Sequence, residues 1–222
     1  MSGIDETDPL LLASQLCSRL CHDMLSPVGA LSNGLELLAI ESDPEMRQNC
    51  IELLEQSATI SANKLKYFRL AYGAAGGFGD RVGVEEPKDL IQSLATDKGR
   101  IEVNWALSGG TLAKPAVKVL LNFAQIALDA LVRGGTLDVG AEVRDGACEI
   151  VIRAAGPKIA FDEVLGRALD GKLDADELTS RTVSAHMIHL LAQECGGGLQ
   201  YAKGDDALVL GAVLPEPEGM IG

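Results

Sequence analysis

The sequence predicts an α+β protein in two parts: an antiparallel helical hairpin, then a two-layer domain with one mixed sheet and helices on one face. Three observations predict it. Apolar residues recur at helical spacing from Leu10 to Tyr72. A glycine-rich break, Gly73 to Gly79, follows. Beyond the break, helical patterns alternate with short strand patterns bounded by turn residues.

In the first helix Cys17, Cys21, Met24, Val28, Leu31, Leu35 and Leu38 step by four and three, a heptad seam that Leu10 and Ala13 extend backwards. Ser42-Asp43-Pro44-Glu45 starts the second helix. Ser42 or Asp43 can cap it, Pro44 suits its first turn, and Glu45 can complete a capping box. Met46, Cys50, Leu53, Ser57, Ile60, Lys64 or Leu65, Phe68 and Tyr72 continue it. Each helix is about 30 residues, or about 45 Å, and the short turn makes them antiparallel. Two helices leave apolar stripes uncovered, so a second copy is expected to complete a four-helix bundle as a homodimer. The alternative is that the second domain folds back over the hairpin.

The expected organisation is a hairpin over residues 1–75, a glycine-rich linker at 76–83, a second domain over 84–216 and a tail at 217–222. Within the second domain Pro87 to Thr96 predicts a helix, Arg100 to Leu107 a strand, and Ala113 to Arg133 a long helix with Pro115 in its first turn. Thr136 to Val143 and Ala147 to Ala154 predict two strands joined by Asp145-Gly146, a strong hairpin signal. Helical stretches follow from Asp162 and from about Thr179 to Glu194, where Gly196-Gly197-Gly198 stops the second. Leu199 to Lys203 and Ala207 to Leu214 form a last hairpin.

Composition excludes several classes. The 222-residue chain is 47% hydrophobic but only 4% aromatic, so its core is built from aliphatic side chains. No long uncharged apolar run is present, and Asp5, Glu6 and Asp8 stand where a secretory signal needs positive charge. Five cysteines without paired spacing suit reduced thiols in a cytosol, so a cytoplasmic location is expected. A net charge of −13 argues against nucleic acid and anionic membrane as partners.

His22 stands beside the seam. Ser18, Ser26, Gly29 and Asn33 form a stripe of small or polar residues with it, leaving the imidazole reachable. A nitrogen nucleophile that titrates near neutrality is available uncharged. Cys17 and Cys21 fall in the seam with no further ligand group nearby, so they are expected to be buried thiols rather than metal ligands. His186 and His189 are expected as partly buried helix residues.

The string from Cys21 to Leu31 resembles the H box of the dimerising domain of sensor histidine kinases: His, an acid, two residues, Ser, Thr or Asn, then Pro and an aliphatic residue. His22, Asp23, Ser26, Pro27 and Val28 match. A proline inside a helical pattern removes a backbone hydrogen bond and kinks the helix, which makes the combination specific. The second half resembles the ATP-binding domain of the same kinases without its nucleotide-binding residues. Asn122 survives, but the Mg²⁺-holding Asn falls on Ile126, or on Asp129 if the alignment shifts. The adenine-binding Asp is replaced by Ala154, and the glycine-rich phosphate loop by Thr182-Val183-Ser184-Ala185.

A hairpin with an H box and a degenerate kinase-like domain resembles the ChpT family of alphaproteobacterial histidine phosphotransferases. Asn33-Gly34-Leu35-Glu36, Ala71-Tyr72-Gly73 and Arg133-Gly134-Gly135-Thr136 are also similar to that family. The resemblance implies a phosphorelay. The receiver domain of a hybrid histidine kinase (CckA in the family) gives a phosphoryl group to His22, which passes it to response-regulator receivers such as CtrA and CpdR. It implies that this chain binds no cofactor and no ATP, and that Mg²⁺ is supplied by the partner receiver. Asp23 orients the ring through Nδ1 or is a solvated helix carboxylate. Arg19 meets the phosphoryl group or the receiver's acidic pocket, or is a solvated surface residue. Leu16, Leu20, Leu25, Pro27 and Ala30 are candidate apolar docking contacts, some of them core, with Ser26 beside them. Two rival readings stand: an active kinase with an atypical ATP site, and a non-catalytic interaction module.

Overall fold

A computed structural model describes residues 8–73, 80–107 and 110–217. Helix α1 spans Pro9–Ile40 and α2 spans Pro44–Ala71. Asp8 caps α1 by accepting from the Leu10 amide at 2.9 Å, with Pro9 in the first turn. Asp43 caps α2 by accepting from the Met46 amide at 2.9 Å. The capping box expected through Glu45 does not form. Because Asp43 rather than Ser42 is the cap, Met46 occupies the position a box needs, and Glu41 instead accepts from the Ser42 and Asp43 amides. Arg47 donates to the Leu38 and Glu41 carbonyls, satisfying orphan acceptors at the end of α1. The helices approach closely where Gly34 meets Leu54: a Cβ at Gly34 would lie 2.9 Å from Leu54 Cδ2.

The rest of the chain runs β1 (Arg81–Gly83), α3 (Glu85–Lys98), β2 (Ile101–Leu107), β3 (Thr111–Ala113), α4 (Lys114–Ala130), β4 (Gly135–Arg144), β5 (Ala147–Ala155), α5 (Glu163–Leu169), α6 (Val183–Glu194), β6 (Gly198–Lys203) and β7 (Ala207–Pro215). The five-stranded sheet has the order β2-β4-β5-β7-β6, with β2 parallel to β4 and the other pairs antiparallel. This is the expected mixed sheet. Alternation puts Leu137, Val139, Ile150, Ile152, Leu208 and Leu210 on one buried face, against α4, whose Val117, Leu120, Leu121, Phe123 and Ala124 are also buried. Asp145 at φ 52° and Gly146 at φ 77° turn the β4–β5 hairpin. Gly134, at φ 80°, passes so near Arg100 that a Cβ would sit 2.4 Å from its carbonyl oxygen.

Two differences from the sequence reading concern a short strand pair and a helix start. Arg81–Gly83, inside the expected linker, pairs antiparallel with Thr111–Ala113, a strand too short for alternation to reveal. The glycine-rich break at 74–79 lies outside the described residues. The last long helix starts at Val183 instead of Thr179, because Thr182 Oγ1 donates to the Glu177 carbonyl and accepts from the Thr179 amide. Those local bonds compete with a helical turn.

One face of the hairpin is covered by the second domain. Leu12, Leu16, Leu20 and Met24 of α1 pack on its core, and Tyr67, Phe68, Leu70 and Ala71 of α2 are buried in it. Tyr67 donates from its hydroxyl to the Leu121 carbonyl at 3.3 Å, and the Tyr72 hydroxyl lies 2.8 Å from Ser184 Oγ. The seam read from the sequence is therefore divided. Met24, Leu31 and Leu38 are half-buried, whereas Val28, Leu35, Cys17 and Cys21 are exposed. The two cysteines expected to be buried lie on the hairpin's open side. Among the described residues no helix is long and apolar enough to cross a membrane.

Candidate functional site

His22 is held out from α1 with 83% of its side chain exposed. The stripe around it is open: Ser18, Ser26 and Asn33 are exposed, and a Cβ on Gly29 would meet nothing within 4 Å. Asp23, the next residue, places Oδ1 at 3.1 Å from His22 Nδ1. With Nδ1 protonated and donating to that carboxylate, Nε2 keeps its lone pair and faces solvent. This is the contact that the orienting role of Asp23 requires. Its carboxylate is only 29% exposed.

Pro27 explains a further contact. It has no amide to offer the Asp23 carbonyl one turn earlier, so that acceptor loses its helical partner. Lys64, from α2, donates to it from Nζ at 2.9 Å. The H-box proline thus leaves an acceptor beside His22, and the neighbouring helix fills it. The sequence reading placed Lys64 only as a seam residue. A charged side chain interrupting an apolar pattern, opposite a helix proline, is the signal that identifies it.

Two expected docking residues are placed elsewhere. Pro27 is buried within α1 rather than offered to a partner. Arg19 does not reach towards the ring or solvent. Its side chain is 15% exposed and lies 3.6 Å from Asp23 Oδ2 and 3.7 Å from Asp129 Oδ2. It also donates from Nη1 to the Ser180 carbonyl at 3.4 Å. Burial lowers the guanidinium's pKa, but Tyr72, Tyr67, Asp23 and Asp129 together outweigh this and hold it above its ordinary value. Leu16 and Leu20 belong to the core-facing side of α1. Leu25 stays on the surface, 72% exposed, with Ser26 exposed and Ala30 half-buried.

A cleft opens beside His22, between α1 and the second domain, lined by Arg19, Asp23, Ile126, Asp129, Asp162 and Arg181 among others. Of the positions aligned above with the kinases' nucleotide contacts, Ile126, Asp129 and Thr182 line this cleft and others are packed into the fold. Ala154, Val183 and Ala185 are fully buried. Asn122 is buried and donates to the Lys118 carbonyl at 2.8 Å. Among the described residues no group of three or more His, Cys, Asp or Glu side chains is placed to hold a metal ion.

The chain thus presents an exposed imidazole on a helical hairpin backed by an α+β domain with a mixed sheet, and the comparisons with known proteins give this arrangement its class, a histidine phosphotransferase. The family model described as "Histidine phosphotransferase C-terminal domain" matches residues 84–207. The protein phosphotransferase ChpT of Brucella abortus (strain 2308) is 33% identical over 185 residues, 83% of this chain and 87% of that relative. A solved structure of a bacterial phosphotransferase superposes with a TM-score of 0.82 at 28% identity, covering 95% of this chain and all of the other. The chain belongs to this histidine phosphotransferase family.

Proposed function

We propose that the chain is the histidine step of a phosphorelay, with His22 as the phosphoryl carrier. The observation that carries this reading is the exposed imidazole of His22, 83% of its side chain in the open, with Nδ1 3.1 Å from Asp23 Oδ1, an arrangement that puts the proton on Nδ1 and the lone pair on Nε2 when the ring donates to that carboxylate. The His22 Nε2 lone pair attacks the phosphorus of a receiver's aspartyl phosphate. An N–P bond forms, the P–O bond breaks, and the carboxylate leaves with the electron pair. The proton on Nδ1 stays there, and Asp23 stabilises the positive ring. Return of the phosphoryl group to another receiver is the same step in reverse. Mg²⁺ held by the partner receiver would supply charge neutralisation on the transferring oxygens. The donor is the receiver of a hybrid kinase (CckA-like), and the acceptors are response regulators (CtrA- and CpdR-like).

We also infer a homodimer and no ATP binding. Val28, Leu35 and Ile40 of α1, with Met46 and Leu53 of α2, leave an exposed apolar surface on the hairpin. A monomer seldom leaves such a surface open. Ile126 in the cleft and the packed Ala154 and Thr182–Ala185 offer nothing to a metal–nucleotide complex.

Incubation with a radiolabelled phospho-receiver should label the chain. The label should be acid-labile and base-stable, as phosphohistidine is, and absent from His22→Ala, which still folds. Labelling that survives in His22→Ala, or labelling by ATP alone, would refute the reading.

A further inference from the structure

We propose that Arg19 is a positioning residue through which the second domain holds Asp23, and with it the imidazole of His22, in the orientation that presents Nε2. The proposal rests on the reading of His22 as the phosphoryl carrier. Arg19 lies one turn before His22, yet its guanidinium turns towards the domain behind. Three separate parts of the chain meet on it: Asp23 of α1, Asp129 of α4 and the Ser180 carbonyl before α6.

The arrangement divides the two oxygens of Asp23. Oδ1 faces His22 Nδ1 at 3.1 Å, and Oδ2 faces Arg19 Nε at 3.6 Å. A carboxylate beside an exposed histidine, with no second tether, turns freely about its side-chain bonds. Held from the Oδ2 side, it keeps Oδ1 on the ring. That bond selects the tautomer: with Nδ1 carrying the proton, Nε2 is the nucleophile. The tether is anchored in turn. Asp129 accepts from Lys98 Nζ at 2.7 Å and from Gln125 Nε2 at 3.0 Å. Arg19 Nε is buried without a hydrogen-bond acceptor of its own. A small approach of Asp23 would satisfy it, so the guanidinium draws the carboxylate inwards. The guanidinium faces these groups on three elements through three separate nitrogens, Nε, Nη2 and Nη1, where a lysine would bring only one. The second domain thereby takes part in transfer without touching the phosphoryl group.

Two measurements on the full-length chain test this. The first is nitrogen NMR of His22 at about pH 8, above the ordinary imidazole value of about 6.5. The wild-type chain should show mainly the Nδ1–H tautomer. Arg19→Gln and Asp129→Asn should move His22 towards the Nε2–H form that an unconstrained histidine side chain favours, with Arg19→Lys in between. The second is single-turnover transfer from any radiolabelled receiver that labels the wild-type chain, over a range of receiver concentrations. The saturating rate should fall by about tenfold in Arg19→Gln and Asp129→Asn, as for a modestly misplaced nucleophile, with the half-saturating concentration unchanged. An unaltered tautomer in both variants, or a change in half-saturation alone, would overturn the proposal. A wild-type chain that accepts no phosphoryl group would instead overturn the carrier reading, while the tautomer shift would still decide whether Arg19 positions the ring.

Discussion

Lys64 and Pro27 form a pair whose energetics can be measured at the scale of single residues. Lys64→Met removes the donor to the Asp23 carbonyl and should cost about 1–2 kcal/mol of stability. Pro27→Ala restores a backbone amide able to take up the same acceptor. In that background Lys64→Met should cost measurably less. A double-mutant cycle by urea denaturation checks this, and simple additivity would show that the two residues do not share the acceptor. The sequence displays Pro27 and Lys64 plainly but not their pairing, which depends on the register of α2 against α1. His22, Asp23 and Ser26 were legible because their relation is local, one turn of one helix. Arg19 was read as reaching out because its partners, Asp129 and Ser180, lie more than a hundred residues away in sequence.

Among the elements, α1 carries a docking face and α6 carries a buried titratable group. The proposed docking face lies below His22, where Leu25 is exposed. One histidine per chain must serve donor and acceptor receivers in turn, so both use the same surface. Changing Leu25 or Ala30 to a bulky charged residue such as Arg should slow transfer from the donor and to the acceptor together, without dissolving the dimer. Quantifying both half-reactions on the variant checks it, and loss in one direction only would mean separate faces. His186 sits on α6, 3% exposed, and burial, then the nearby His189, lower its pKa. The unfolded chain therefore takes up that proton first. Stability is full above the ordinary imidazole value of about 6.5 and falls as the pH drops from there towards the lowered folded value. Urea midpoints at two pH values on either side of this window should differ more for the wild type than for His186→Gln. The long helices and the β4–β5 and β6–β7 hairpins were legible from period and turn residues. The three-residue strands were not, since a pattern needs more positions than they have.

At the scale of the whole molecule, the second domain grips only one end of the hairpin. All four α1 side chains that pack on its core, Leu12, Leu16, Leu20 and Met24, precede Pro27, and the buried aromatic pair of α2, Tyr67 and Phe68, lies at that helix's far end. The passage from two long helices to a mixed sheet was readable from the change of period. Which half of the hairpin the domain holds was not, because both halves have apolar stripes. From Pro27 to Ile40 the helix runs on for about 20 Å, touching α2 where Gly34 meets Leu54, and among the described residues no apolar side chain of this stretch packs on the core. The hairpin is a cantilever, clamped at the end that carries His22 and overhanging at the other. Amides near the turn, from about residue 30 to 56, should lose hydrogen-exchange protection on dilution, when a second copy leaves, while those around His22 keep theirs. Uniform protection at every concentration would contradict this. A load on the overhang, whether from a departing subunit or an arriving one, would bend the beam beyond Pro27 and leave the aim of His22 unchanged.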